Sequence, residues 1–206
     1  MPYFRNITIY NRSERWNFDS MYANNNNNYT DLSHITFKMK SNVFYFTGFR
    51  EMFYSCFILR QLPIFDWSLE SINDVNYSMY LNSMFEGCYN LRTIPNTFFS
   101  DIPFSDSYTK TIYGEGMFAS CYSLRKLPDL SWFDGRNASF SGSDSIYQRI
   151  VRNCSSLDEI VDLPVLKCSY AVSGFNMGIQ YCYRIKEMTF KTGTDSAPRT
   201  DSGWNN

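Results

Sequence analysis

MFASCYSLRKLP, at residues 117–128, has two near-copies in the same chain. MFYSCFILRQLP occupies residues 52–63 and MFEGCYNLRTIP occupies residues 84–95. All three carry cysteine at the fifth place, leucine at the eighth and proline at the twelfth. A phrase repeated in tandem is typical of a protein built from stacked copies of one structural unit.

Five of the six cysteines mark the phase of this repeat, with spacings of 32, 33, 33 and 28 residues. They are Cys56, Cys88, Cys121, Cys154 and Cys182. When each unit is numbered from its cysteine, apolar residues recur at −4, −3, +3 and +6. The +3 position holds Leu59, Leu91, Leu124, Leu157 and Ile185. Upstream, Met21-Tyr22 with Leu32 and Ile35 suggests one degraded earlier unit.

The spacing predicts what each unit forms. MFxxCxxL places its apolar residues at helical intervals and predicts a helix of about two turns. The following LxxI/L is short, ends at proline in the first three units, and predicts a brief strand. One unit cannot bury its apolar face alone, so copies are expected to stack with their strands paired in parallel. The predicted fold class is therefore an α/β repeat, a solenoid of about five short coils with a core ladder of the five cysteines and four leucines.

Three regions follow from this pattern. Residues 1–40 are predicted to form an N-terminal partial cap, with a strand through Phe4, Ile7 and Ile9 and a solvated loop at Asn24–Asn28. Residues 41–190 are the predicted solenoid, and residues 191–206 are predicted to form a polar tail.

The pattern MFxxCxxLxxIP, preceded by Ser41-Asn42-Val43, resembles the BspA-type leucine-rich repeats. The branch in question occurs in surface proteins of mycoplasmas and gut bacteria and in bacteriophages of gut bacteria. The resemblance covers about residues 41–190 and implies a leucine-rich-repeat solenoid with a role in attachment or in a virion. It carries over no catalytic residue. The chain departs from the family in its longer units and in Gly178-Ile179 at the last one.

Composition and charge argue against two kinds of partner, nucleic acid and the membrane interior. The chain of 206 residues has 19 basic and 20 acidic side chains and no block of Lys or Arg, which argues against a nucleic-acid partner. No apolar run approaches the roughly 20 residues of a membrane span. The N-terminus lacks the pattern of a secretory signal.

Few residues suggest chemistry, and no cofactor or metal is expected. The cysteine spacing matches no zinc site, and buried free thiols are favoured over disulfides, with Cys168 off phase and exposed. The only histidine, His34, has no evident nucleophile or metal partner nearby in sequence. The cluster Asp158, Glu159 and Asp162 suits either a solvated edge or, less often, a cation or carboxylate-pair site.

Aromatic residues supply the candidate contact surface. Trp67, Phe99 and Trp132 recur at position +11, where they either cover the core or form an exposed strip for sugar or protein contact. Tyr108, Tyr113 and Phe140 lie in the long polar connections 101–116 and 134–145, where recognition residues are often found.

These observations predict a non-enzymatic structural or attachment protein. We expect a bacteriophage virion component (tail, fibre or capsid-associated), assembled in the host cytoplasm and held by other protein subunits. The alternative is a bacterial surface adhesin, or a fragment of one, that binds a host protein or glycan. A secretory signal on the full gene product would favour the adhesin.

Overall fold

The structure is a computed structural model that describes residues 16–25, 29–38, 46–66, 77–100, 110–130, 149–164 and 179–191. Its elements are one short helix, α1 (Thr97–Ser100), and eight strands. The strands are β1 (Trp16–Asn17), β2 (Thr36–Lys38), β3 (Phe46–Gly48), β4 (Ile64–Asp66), β5 (Tyr77–Tyr80), β6 (Lys110–Tyr113), β7 (Glu159–Pro164) and β8 (Glu187–Lys191).

Every strand pair in the described part of the chain is parallel. One sheet has the order β1-β3-β5-β6, and two pairs, β2–β4 and β7–β8, stand apart from it. Each strand therefore lies beside the strand one repeat further along the chain. The registers agree with this: Thr47 pairs with Met79, and Ser78 pairs with Thr111. β7 and β8 keep their pairing across an irregularity between Ile160 and Leu163.

The repeated phrase folds as successive turns and not as the two-turn helix that its spacing predicts. In the unit of Cys56, the amide of Met52 donates to the carbonyl of Phe49, and the amide of Cys56 donates to the carbonyl of Phe53. The amides of Phe53 and Ser55 donate to the next unit, to the carbonyls of Met84 (2.9 Å) and Glu86 (2.8 Å). A helix would use every amide internally. The prediction of a helix here is wrong because alternate amides are committed to the neighbouring copy. The strand predicted at the following LxxI/L is also wrong for the first three units: residues 59–62, 91–94 and 124–127 form only isolated bridges, at Gln61 and Lys126, and the four-stranded sheet uses segments that precede the phrase.

Left-handed backbone makes these turns possible. In each of the first four cysteine-marked units, the residues at −5 and −1 have positive φ; Glu51 and Ser55 have φ of 55° and 56°. Most of these residues are not glycine and so carry a conformational cost. At Gly87 (φ 79°), a side chain would also place its Cβ 3.3 Å from the Ser55 Cα, so glycine allows the two units to approach closely there.

The core consists of columns of like residues stacked from unit to unit. The rings of Phe53 and Phe85 are parallel with centroids 5.4 Å apart, and those of Phe85 and Phe118 are 5.7 Å apart. Tyr22 extends the column, 5.5 Å from Phe53. The methionines at −4 and the leucines at +3 form further buried columns: Met52, Met84, Met117, Leu59, Leu91, Leu124 and Leu157. Packing of this kind is the main favourable term in stability.

Residues 16–38 contact the following unit in the way that later units contact each other. The amides of Phe18, Ser20 and Tyr22 donate to the carbonyls of Gly48, Arg50 and Met52. Leu32 and Ile35 are buried in the same core. The predicted cap strand near Phe4 lies outside the described residues. Of the predicted tail at 191–206, Lys191 belongs to β8 and the rest lies outside the described residues. The division of the chain at residues 40 and 190, like the leucine-rich-repeat solenoid itself, stays a prediction.

Within the described segments, no helix has the length and hydropathy that crossing a bilayer requires.

Candidate recognition surface

Two outward positions of the repeat hold the same kind of residue in three successive units. Position +1 holds Phe57, Tyr89 and Tyr122, which we call the aromatic column. Position +4 holds Arg60, Arg92 and Arg125, which we call the arginine column. The cysteine and the +3 leucine both point into the core, and a turn joins them. The residue at +1 lies on the outer side of that turn, and the residue at +4 follows the buried leucine and points outward.

The aromatic column is a continuous stack. Ring centroids lie 4.5 Å apart between Phe57 and Tyr89 and 4.7 Å apart between Tyr89 and Tyr122. Tyr89 and Tyr122 are 37% and 41% exposed, so their edges meet solvent. Asn90 steadies the stack by donating from Nδ2 to the Phe57 carbonyl (2.7 Å). The column ends where the fourth unit has Ser155 at this position.

Main-chain hydrogen bonds join the units that carry the arginine column. The Arg125 amide donates to the Arg92 carbonyl (3.3 Å), and the Asp158 amide donates to the Arg125 carbonyl (3.0 Å). The three arginines are exposed, and no acidic side chain among the described residues forms an ion pair with them. The fourth unit has Asp158 at +4 instead. Its carboxylate pairs with Arg184 (2.9 Å).

A groove of about 500 Å³ lies beside the arginine column. Arg60 and Arg92 line it together with the hydroxyl and amide side chains of Ser33, Gln61, Thr93 and Thr97. Its apolar lining includes Leu62, Phe65 and Phe98, which are nearly buried. α1 closes one part of this groove with Thr97 and Phe98. The groove therefore combines fixed positive charge, hydrogen-bonding groups and an apolar wall, as ligand sites in proteins do.

The cysteines form a ladder of free thiols inside the stack. Each donates from Sγ to the carbonyl of the −3 residue one unit earlier: Cys88 to Phe53 and Cys121 to Phe85, both at 3.1 Å. Burial first, and neighbouring thiols second, raise the pKa of Cys88, Cys121 and Cys154 well above the ordinary value of 9.0. Such thiols are protonated and poorly nucleophilic. Cys182, in the last described unit, is only half-buried.

Thiol labelling should follow this order of burial. Among the cysteines that the structure describes, iodoacetamide is expected to modify Cys182 first in the native, reduced protein and to leave Cys88, Cys121 and Cys154 protected, because it needs an accessible thiolate. Mass spectrometry of tryptic peptides measures each site, and denaturation should expose all six cysteines. Disulfide-linked peptides from the ladder, or equal rates at Cys121 and Cys182, would contradict the assignment.

The predicted contact residues fall mostly outside the described part of the chain: Trp67, Tyr108, Trp132 and Phe140 lie there. Phe99 belongs to α1, whose backbone alone is described at that position. Tyr113 is half-buried in β6 and stacks on Tyr80 with centroids 4.5 Å apart. Arg50 lies over the Tyr80 ring at 5.5 Å. Tyr113 is thus separate from the aromatic column.

The remaining candidates for chemistry are placed singly. His34 is exposed. The carboxylates of Asp158 and Glu159 each contact a cation, Arg184 and Lys126 respectively, and Asp162 lies in β7 with no side-chain description. Among the described residues no group of histidine, cysteine and carboxylate side chains could hold a metal ion.

The two columns were not predicted, although the sequence contained a signal for them. Core packing explains why methionine, phenylalanine, cysteine and leucine recur. It does not explain why exposed positions +1 and +4 recur, while the exposed +5 position varies among Gln61, Thr93 and Lys126.

Comparison with protein-family models, curated proteins and solved structures finds no match to this chain.

Proposed function

We propose that this protein is a non-enzymatic attachment or structural component whose stacked repeats present a recognition surface. One observation carries the proposal: arginine and aromatic residues recur at outward positions of three successive units, outside the buried core. A rigid stack that repeats exposed contact groups can bind an extended partner at several points.

The chemistry of the interior supports binding over catalysis. A nucleophilic cysteine needs a lowered pKa and access to substrate. Burial instead raises the pKa of Cys88, Cys121 and Cys154, and their thiols donate to main-chain carbonyls. Asp158 and Glu159 are each engaged with a cation, an arrangement typical of structural ion pairs.

The proposal includes a leucine-rich-repeat solenoid as scaffold. The parallel pairing of strands one repeat apart and the stacked columns of phenylalanine, cysteine and leucine support it. The sequence resemblance to BspA-type repeats adds the biological setting, a bacteriophage virion in which other subunits hold the chain. The second candidate, a bacterial surface adhesin that binds a host protein or glycan, uses the same surface.

Fractionation of the producing culture tests the setting. We expect peptides of this chain to band with purified phage particles in a density gradient, at a constant ratio to the major capsid protein. Recovery only from the envelope of uninfected cells would overturn the virion proposal in favour of the adhesin. Hydrolysis of a glycan or peptide by the purified chain would overturn the non-enzymatic proposal.

A further inference from the structure

The arginine column has no structural explanation in the described part of the chain. Neighbouring repeat units in a parallel stack lie about 4.8 Å apart, so the backbones that carry the three arginines are about that far from one another. Like charges on neighbouring units repel each other, and an uncharged polar residue would satisfy solvent equally well. Arg60, Arg92 and Arg125 are exposed and have no carboxylate partner there. Their recurrence therefore points to an external anion.

The shape of the site favours an anion that repeats along a line. Guanidinium groups bind carboxylates through two parallel hydrogen bonds, and successive arginines in a column can engage successive carboxylates of one polymer. The groove beside Arg60 and Arg92 adds the hydroxyls of Ser33, Thr93 and Thr97 to this charge. These groups suit a ligand rich in hydroxyls of its own.

Two other acidic polymers fit less well. An extended peptide presents side chains on one face about every 6.6–6.8 Å, and so falls out of step with the arginines by the third unit. Nucleic-acid binding draws its affinity from many basic residues, whereas this chain has a formal net charge of −1.

We propose that the arginine column and its groove bind a linear acidic polysaccharide, with sugar carboxylates on Arg60, Arg92 and Arg125 and sugar hydroxyls in the groove. This inference rests on the proposed recognition function and names its ligand class. The aromatic column lies three residues before the arginine column in each unit.

Binding of the full chain to polygalacturonate oligosaccharides tests the inference. In calorimetry at moderate salt, Arg60→Gln/Arg92→Gln should weaken binding about tenfold or more, because each change removes a charge-assisted contact. The matched control uses single variants: Arg50→Gln, which removes one charge from an exposed arginine outside the groove, is compared with Arg92→Gln alone. Arg50→Gln should weaken binding less than about twofold, since distant exposed charges are screened, and Arg92→Gln should weaken it about threefold or more. Circular dichroism melts establish that the variants fold.

Four outcomes would overturn the inference. They are absence of polygalacturonate binding, equal losses in Arg92→Gln and Arg50→Gln, equal binding of the fully methyl-esterified polymer, and equal or tighter binding of polyglutamate or single-stranded DNA. Failure of the particle fractionation is a separate result. If the chain binds polygalacturonate through Arg60 and Arg92 but is absent from particles, the ligand proposal stands and the virion proposal is wrong.

Discussion

Replacing Phe85 by alanine is expected to lower the free energy of unfolding by about 3–5 kcal/mol. Phe85 is fully buried at the centre of the phenylalanine column, between Phe53 and Phe118. The ring of Phe98 packs edge to face with the Phe85 ring, and the two ring centroids are 5.7 Å apart. Removal of the ring takes away buried apolar surface and leaves a cavity that rigid stacked units cannot close. Urea denaturation under reducing conditions measures the effect.

Tyr89→Ala is the matched control, because Tyr89 belongs to the same unit and also stacks on both neighbours. It is 37% exposed, so its loss should cost only about 0.5–1.5 kcal/mol. Equal destabilisation by the two variants would show that the inward and outward columns have been assigned wrongly.

Alkaline pH is expected to destabilise the protein through the thiol ladder. In the unfolded chain the thiols ionise near their ordinary pKa of 9.0, whereas burial raises the pKa of Cys88, Cys121 and Cys154 well above it. Above pH 9 the folded state therefore holds more protons than the unfolded state, and stability falls as pH rises. The loss should be on the order of 1 kcal/mol per thiol per pH unit, about 3–4 kcal/mol in all at pH 10.

A variant with alanine at Cys88, Cys121 and Cys154 isolates this contribution. Tyrosines also titrate near pH 10, so the quantity to compare is the slope of the unfolding free energy between pH 8 and 10 in the two proteins, with reductant present. The variant should lose most of the slope. An unchanged slope would mean that the thiols do not titrate differently in the folded and unfolded states.

The repeat phase of the sequence specifies the inward side chains. Cys88, Leu91, Cys121 and Leu124, which the spacing places in the core, have no exposed surface. The reason is that every unit buries the same apolar positions, so the period of 32 or 33 residues can be counted from the sequence. The same count indicates that successive units lie side by side.

The conformation inside each unit was beyond the sequence pattern. Apolar residues at −4, −3, 0 and +3 satisfy a helix and a run of turns equally well, because both bring these positions to one side. The left-handed residues that decide for turns are of varied type, such as Glu51, Ser83 and Arg149, and among the described residues only the glycines and asparagines give a local hint: Gly87, Gly116, Asn24 and Asn153. Propensity alone favours right-handed backbone at the others.

The sequence by itself determined the repeat, its period and the residues that face the core, because hydrophobic burial acts on each copy in the same way. Only the tertiary structure decided that alternate amides leave their own unit to bond the next one, as Phe53 does to Met84. That choice depends on a partner more than 30 residues away, whose main chain supplies the carbonyl. The same stacking sets Arg60 and Arg92 beside one groove, a placement that arises between units and not within either of them.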